Sequence, residues 1–321
     1  MGSQIDILPD GFAWLDKEPV FNPAQHLALE APDLIETLGD FGYEADEIAT
    51  CPSDFAVSSV FRVLSDEGAA CLLDVCRQLE QYTTSNERIE RNTRGGVYRS
   101  RFLRDMCLSP DITNFMSDIA NVPLLPHSIS HQLGHLNYNP HTIGQNVDKW
   151  HVDTLRYDYV MFVTDPQSVA GGQFQYFRGT KHEMAEIKAR GGQVPAERII
   201  SPAMPGPGYA VMQQGNMVVH QAKGLEAEGE RITMVNGYVA ADAKIADFTR
   251  YDQLRLVDPP HIVTTEFARH TAELASRMVT QAGFEADTEV HVSNLREAAS
   301  RLLAAADEIE TTTDGKLDHY S

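Results

Sequence analysis

The chain is short of cysteine, of basic side chains and of long apolar runs, and each shortage excludes a class of protein. Its four cysteines, Cys51, Cys71, Cys76 and Cys107, make no Cys-x-x-Cys pair. Zinc ribbons and disulfide scaffolds are therefore set aside in favour of reduced, mostly buried thiols. Against 46 Asp and Glu stand only 26 Lys and Arg, a formal net charge of −20. Such a surface repels phosphate backbones and anionic lipid over a Debye length of roughly 8 Å, so neither nucleic acid nor membrane is expected as a partner. No stretch approaches the roughly 18 uninterrupted apolar residues of a membrane span. The first six residues carry neither the basic region nor the apolar run of a secretory signal. The expectation is a soluble, cytoplasmic protein.

What is present is apolar material for a full core, 42% of 321 residues. A chain of about this length removes roughly 75% of its extended surface from water. The pattern reads as an α+β protein in one catalytic domain over 1–321, with a strand core at about 128–245 between helical flanks at 1–127 and 246–321. Residues 1–55 read as an irregular arm with one or two short helices. In Ser65–Tyr82 the positions Ala69, Leu72, Leu73, Cys76 and Leu79 recur at helical spacing, and Asp66 and Glu67 suit the positive end of the helix. Ser109 followed by Pro110 starts a second helix, which stops before Pro123. Thr265–Gln281 is a third, and Asn294 with Glu297 forms a capping box for a fourth that reaches about Glu310. Between them lie candidate strands at Ile129–Asn139, Leu155–Thr164, Gln173–Phe177, Tyr209–Gln213, Met217–His220 and Arg231–Ala240. Several short strands with long polar connections favour a barrel or double-sheet sandwich.

The segment with the most chemistry is Trp150-His151-Val152-Asp153. Residues two apart in an extended segment project to one side, so His151 and Asp153 can share a ligand. A turn, Gly215-Asn216-Met217, leads to a third donor at His220. Two imidazoles and one carboxylate form a facial triad that suits non-heme Fe(II) and leaves coordination positions open. Arg231 follows eleven residues past His220, and by period two it shares a strand face with Thr233. A guanidinium on an inward face wants a carboxylate.

This arrangement resembles the Fe(II)/2-oxoglutarate-dependent dioxygenases, whose pattern is His-x-Asp, a distal His and an Arg about ten residues further on. Gly171-Gly172-Gln173-Phe174 is similar to that superfamily's glycine-initiated strand. Phe177-Arg178-Gly179-Thr180-Lys181-His182 is similar to a turn of the phytanoyl-CoA hydroxylase branch, with Lys181 interposed. The resemblance spans roughly Ile129 to Ala241. It implies a double-stranded β-helix, or jelly-roll, core in which His151, Asp153 and His220 bind Fe(II). It implies further that 2-oxoglutarate chelates the metal and is anchored by Arg231, with Thr233 beside it, and that O2 takes the remaining position. The implied reaction hydroxylates, desaturates or cyclises a small molecule, an amino acid or natural-product intermediate, with release of succinate and carbon dioxide. Asp153 stands where the radical halogenases of the superfamily carry Gly or Ala, which disfavours halogenation. The alternative is a jelly-roll metal-binding sensor or scaffold without catalysis.

Other clusters compete for attention. His127, His131 and His135 repeat every four residues, but Pro126 and the scatter of Ile129, Leu133 and Leu136 argue for a strand entering the core rather than a zinc-binding helix face. Glu183 reads as a surface residue opening a helix. His26, His141, His261, His270, His291 and His319 carry no spacing that argues for chemistry. Six arginines fall between Arg88 and Arg104. Arg88, Arg91 and Arg94 read as a solvated face. Arg99 and Arg101, alternating beside a Gly-Gly turn, read as a pair that clamps a carboxylate on the substrate. The helical flanks suit a lid or a homodimer interface.

Overall fold

The computed structural model describes residues 7–313 together with Gly315, Leu317, His319 and Tyr320; the first six residues lie outside it. Two antiparallel sheets set the architecture. The larger runs in the order Leu27–Glu30, Phe61–Leu64, Tyr209–Gln213, Tyr157–Phe162, Ile232–Ala240, His135–Tyr138 and Asn92–Thr93. Ile35–Thr37, Phe55–Ser58 and Leu124–Pro126 pair alongside this path. The smaller sheet runs Ile199–Ile200, Phe174–Phe177, His220–Ala222 and Asp148–His151.

Alternation along the central strands explains the layering. From Tyr157–Phe162, Tyr159 and Met161 pack outward against Leu72, Val75, Leu103, Met106 and Met116 of the N-terminal helices. Val160 and Phe162 face the other way and meet Phe174, Tyr176, Met217 and Val218. The larger sheet is thus buried on both faces, by helices on one side and by the smaller sheet on the other. The second face is interrupted where polar side chains replace apolar ones, and there the cavity opens.

Helix Asp66–Leu79 begins where expected, with Ser65 Oγ accepting from Gly68 N at 3.0 Å. Helix Pro110–Ala120 also starts at the proline, yet the Ser109 side chain makes no capping bond. The third helix is longer than expected, Pro260–Thr280. The capping box at Asn294 does not exist. The last helix runs Thr288–Thr311 from Asp287, and Asn294, 3% exposed, lies inside it. Its Nδ2 donates to Met278 O at 3.0 Å, a carbonyl in the final turn of the preceding helix that has no partner within its own helix.

The flank at 1–127 is not purely helical, since five of the strands above lie between Leu27 and Thr93. Ile129–Asn139 is only partly extended: Ser130–Gln132 is a 3-10 turn and the strand is His135–Tyr138. Met217–His220 is displaced, because Met217 N and Val218 N both bond back to Gln214 O. The segment is therefore a turn, and the strand starts at His220. Among the described residues no helix is long and apolar enough to cross a membrane. All four cysteines are free, with Cys76 and Cys107 buried.

Candidate active site

His151 ends the strand Asp148–His151, and His220 opens its neighbour; the two residues are direct partners across the ladder. Their rings lie 4.2 Å apart between centroids. Asp153, two residues beyond the strand end, is drawn inward by a bond from its backbone N to Gly215 O at 2.9 Å. Its Oδ1 lies 3.3 Å from His151 Nε2 and its Oδ2 lies 3.3 Å from His220 Nε2. Gly215 leaves the room for this: a Cβ there would stand 3.0 Å from Asp153 Oδ2 and would run into Asp158.

The tautomers are set by the backbone. His151 Nδ1 lies 2.7 Å from Lys149 O, and His220 Nδ1 lies 3.0 Å from Val218 O. A carbonyl only accepts, so each Nδ1 carries a proton and each Nε2 is turned toward Asp153. This is the orienting contact that metal-binding imidazoles use. Burial works against charge on Asp153, but the two imidazoles hold its carboxyl well below the usual carboxylate range. Asp158, behind it, is pushed the other way by burial and by Asp153. It accepts from Gln213 Nε2 at 3.1 Å, an atom that also lies 3.1 Å from His220 Nε2. Burial lowers His151, while Asp153 and Asp158 overcome burial at His220 and raise it to about 9. In the free chain His220 keeps its second proton against Asp153; a divalent transition metal would take that proton's place, held by two imidazole nitrogens and one ionised carboxylate with positions to spare.

A cavity of about 460 Å³ opens over the triad, within the range of roughly 300–1,000 Å³ usual for small-molecule sites. Arg231 and Thr233 are part of its wall. Arg231 is 1% exposed. Its Nε donates to Gly172 O at 2.7 Å and Nη1 to Thr233 Oγ1 at 3.2 Å, while Nη2 has no partner. Gly172 has φ +75°, and a Cβ there would meet Arg231 Cδ at 3.0 Å, so this glycine makes room for the arginine stem. The guanidinium lies over the Phe162 ring, and no carboxylate among the described residues pairs with it. Burial alone lowers it to about 10.

Arg99 and Arg101 are elsewhere. Gly95, at φ +67°, turns the chain into the 3-10 turn Gly96–Tyr98, and Arg101 opens helix Arg101–Cys107. The two are therefore not paired on a strand face. The Arg99 guanidinium is sandwiched between Phe12 and Tyr82, 4.2 and 3.8 Å from their centroids. Arg101 lies over Trp14, and its Nη1 is 3.7 Å from Glu18. Both fasten the N-terminal arm, and neither lines the cavity. Of the three arginines read as solvated, two do: Arg88 pairs with Asp148 at 3.1 Å and Arg94 with Asp258 at 2.7 Å, both on the cavity wall, whereas Arg91 pairs with Glu80 away from it. Gln132, His135, Asn137 and the segment 247–254 also line it. The signal that could have found them is the alternation of His135 and Asn137 against apolar Leu136 and Tyr138.

His127, His131 and His135 share no helix face, but the expected strand holds only for His135: His131 lies in the 3-10 turn Ser130–Gln132, and His127 follows the strand Leu124–Pro126. His131 pairs with Asp258 at 3.2 Å, and His127 joins Asp247 and His270 in a second compact His/Asp group. His270, which spacing had passed over, thus has a structural role. Glu183 pairs with Arg198 near the surface.

No family model matches the chain, and no curated protein matches it. Among solved structures it is similar to the non-heme alpha-ketoglutarate-dependent carbocyclase SnoK from nogalamycin biosynthesis, at 17% identity over 64% of this chain and 87% of that one, with a TM-score of 0.43. EctD from S. alaskensis, solved with 2-oxoglutarate and 5-hydroxyectoine, matches at 15% identity over 73% and 88%, TM-score 0.43. AviO1 from Streptomyces viridochromogenes matches at 14% over 64% and 96%, TM-score 0.44. Likenesses this distant do not define an activity.

Proposed function

We propose that this chain is a non-heme Fe(II)- and 2-oxoglutarate-dependent oxygenase, with a double-stranded β-helix core, that oxidises a small molecule. The observation that carries the reading is Arg231, a buried guanidinium without a counter-ion in the wall of the cavity that also holds the triad. An unpaired buried charge costs several kcal/mol, and a dicarboxylate co-substrate would neutralise it. A metal sensor has no use for such a group, so that alternative is not favoured.

His151, Asp153 and His220 would hold the iron through Nε2, a carboxylate oxygen and Nε2. Arg231, steadied by Gly172 O and Thr233 Oγ1, would take the far carboxylate of 2-oxoglutarate. When bound, iron with 2-oxoglutarate and dioxygen supplies the oxidising power and releases succinate and carbon dioxide. The chain's own part is orientation and exclusion of water. Asp153 fills the place that a halide would need, which favours hydroxylation, desaturation or cyclisation over halogenation. The buried free thiols fit a reducing cytoplasm.

Anaerobic addition of Fe(II) and 2-oxoglutarate should give a weak visible charge-transfer absorbance, lost in His151→Ala and in His220→Ala. Its absence from the unaltered protein would refute the proposal.

A further inference from the structure

One stretch of the cavity wall is built for hydrogen bonding and has none within the protein. Gln132, His135 and Asn137 are 8%, 9% and 8% exposed and all line the cavity. Among the described residues none of the three side chains has a hydrogen-bond partner, and His135 Nε2 and Asn137 Oδ1 are fully enclosed. Buried polar side chains are nearly always satisfied, so three orphans on one wall call for a ligand. The ladder fixes where they stand. His135 is opposite Val235 and Asn137 opposite Thr233, so the row continues the Arg231–Thr233 face along the same sheet. Their strand neighbours Leu136 and Tyr138 point into the helix-covered core.

The charge around this wall is already balanced. Arg88 is paired with Asp148 and Arg94 with Asp258. Burial first, and the Arg94 charge second, lower His135 to about 3, so its imidazole is neutral. A neutral imidazole and two carboxamides each offer one kind of donor and one kind of acceptor. A carboxylate only accepts and would leave the three acceptors unmet. An ammonium only donates and would face the two guanidinium groups. Hydroxyl groups do both.

Resting on the oxygenase reading, we infer that Gln132, His135 and Asn137 bind the primary substrate, and that this substrate presents a neutral, hydroxyl-bearing face rather than a carboxylate.

The test uses the full chain loaded with zinc(II) and 2-oxoglutarate, which binds without turning over, and saturation-transfer NMR. Methyl β-D-glucopyranoside and myo-inositol are compared with hexanoate and cyclohexanecarboxylate. The polyols should give signals that the carboxylates do not. His135→Phe and Gln132→Leu should weaken polyol binding roughly tenfold with 2-oxoglutarate affinity within twofold of the unaltered chain, whereas His135→Gln, which keeps a donor and an acceptor, should retain the signals. Preferential carboxylate binding, no polyol binding, or a tenfold loss of 2-oxoglutarate affinity in His135→Phe would each overturn the inference. Normal 2-oxoglutarate uptake without polyol binding sinks this inference alone. Failure of the zinc-loaded chain to take up 2-oxoglutarate sinks the oxygenase reading and this inference with it.

Discussion

Replacing Arg231 with methionine separates a structural arginine from one that awaits an anion. Arg231 is 1% exposed, and among the described residues its hydrogen-bond partners on the guanidinium are Gly172 O and Thr233 Oγ1. Burial moves it from 12.5 to about 10, roughly 3 kcal/mol of cost for keeping the charged form inside, borne at every pH below the folded value. Methionine keeps much of the stem volume and removes the charge. It leaves the Gly172 carbonyl unpaired, at about 1–3 kcal/mol. The two terms nearly cancel, so the ligand-free variant should melt close to the unaltered chain. Co-substrate binding should behave otherwise, because losing one partner of a buried pair costs about 3–5 kcal/mol, or roughly 10²–10⁴ in affinity. Thermal melts with zinc(II), with and without 2-oxoglutarate, read both quantities. A ligand-free variant that is severely destabilised would make Arg231 a structural strut. A variant that keeps its 2-oxoglutarate-induced shift would remove the anchor from the mechanism.

The arm and the buried histidines supply two further expectations. Arg99→Ala removes the sandwich with Phe12 and Tyr82; it should cost about 1 kcal/mol in a denaturant melt and leave 2-oxoglutarate binding unchanged, whereas a lost binding isotherm would restore its role as a clamp. His127, lowered by burial and then by His270, and His135, lowered by burial and then by Arg94, each fall from 6.5 to about 3. Below pH 6.5 the unfolded chain takes up protons that the folded one refuses. Stability is therefore full above that pH and declines toward pH 3, by roughly 2 kcal/mol per histidine at pH 5. A flat melting temperature between pH 7 and 5 would contradict this.

The candidate triad was legible because each of its parts sits in a short local pattern. His151 and Asp153 are two apart, His220 adjoins a glycine turn, and Arg231 and Thr233 share a strand face that the ladder preserves. The arginine cluster was misread because alternation holds only for extended backbone. Gly95 in the left-handed region ended the extension before Arg99, so the pair expected to face the substrate faces the arm. The strands between Leu27 and Leu64 are three or four residues long, too short for a period to stand out from loop. Asn294 mimicked a helix start because a residue that caps its own helix and one that caps the end of another look alike in sequence. What told them apart was Met278 O, supplied by a different helix.

Residue type alone does not separate the two His/Asp groups, yet the backbone does. Around His151 and His220 both Nδ1 atoms face carbonyls, which turns both Nε2 atoms toward Asp153, where a metal would replace the proton that His220 holds. Around His127 the direction is reversed: Ile129 N donates to its Nδ1 at 3.1 Å, so the proton sits on Nε2, 3.1 Å from Thr249 Oγ1. His270 pairs its Nε2 with the Asp247 carboxylate and its Nδ1 with Ser128 Oγ at 2.7 Å, which again places a proton on Nε2. A metal ion at the second group would displace both Nε2 protons, and the proton of His127 would then move to Nδ1 and leave the Ile129 N–H without its acceptor. These contacts fasten the segment 247–249 to the cavity wall, and the group is expected to bind no ion. Metal analysis after dialysis against zinc(II) should give one equivalent per chain, abolished by His151→Ala and unchanged by His270→Ala. Two equivalents, or one that survives His151→Ala, would show that His127, Asp247 and His270 hold a metal after all.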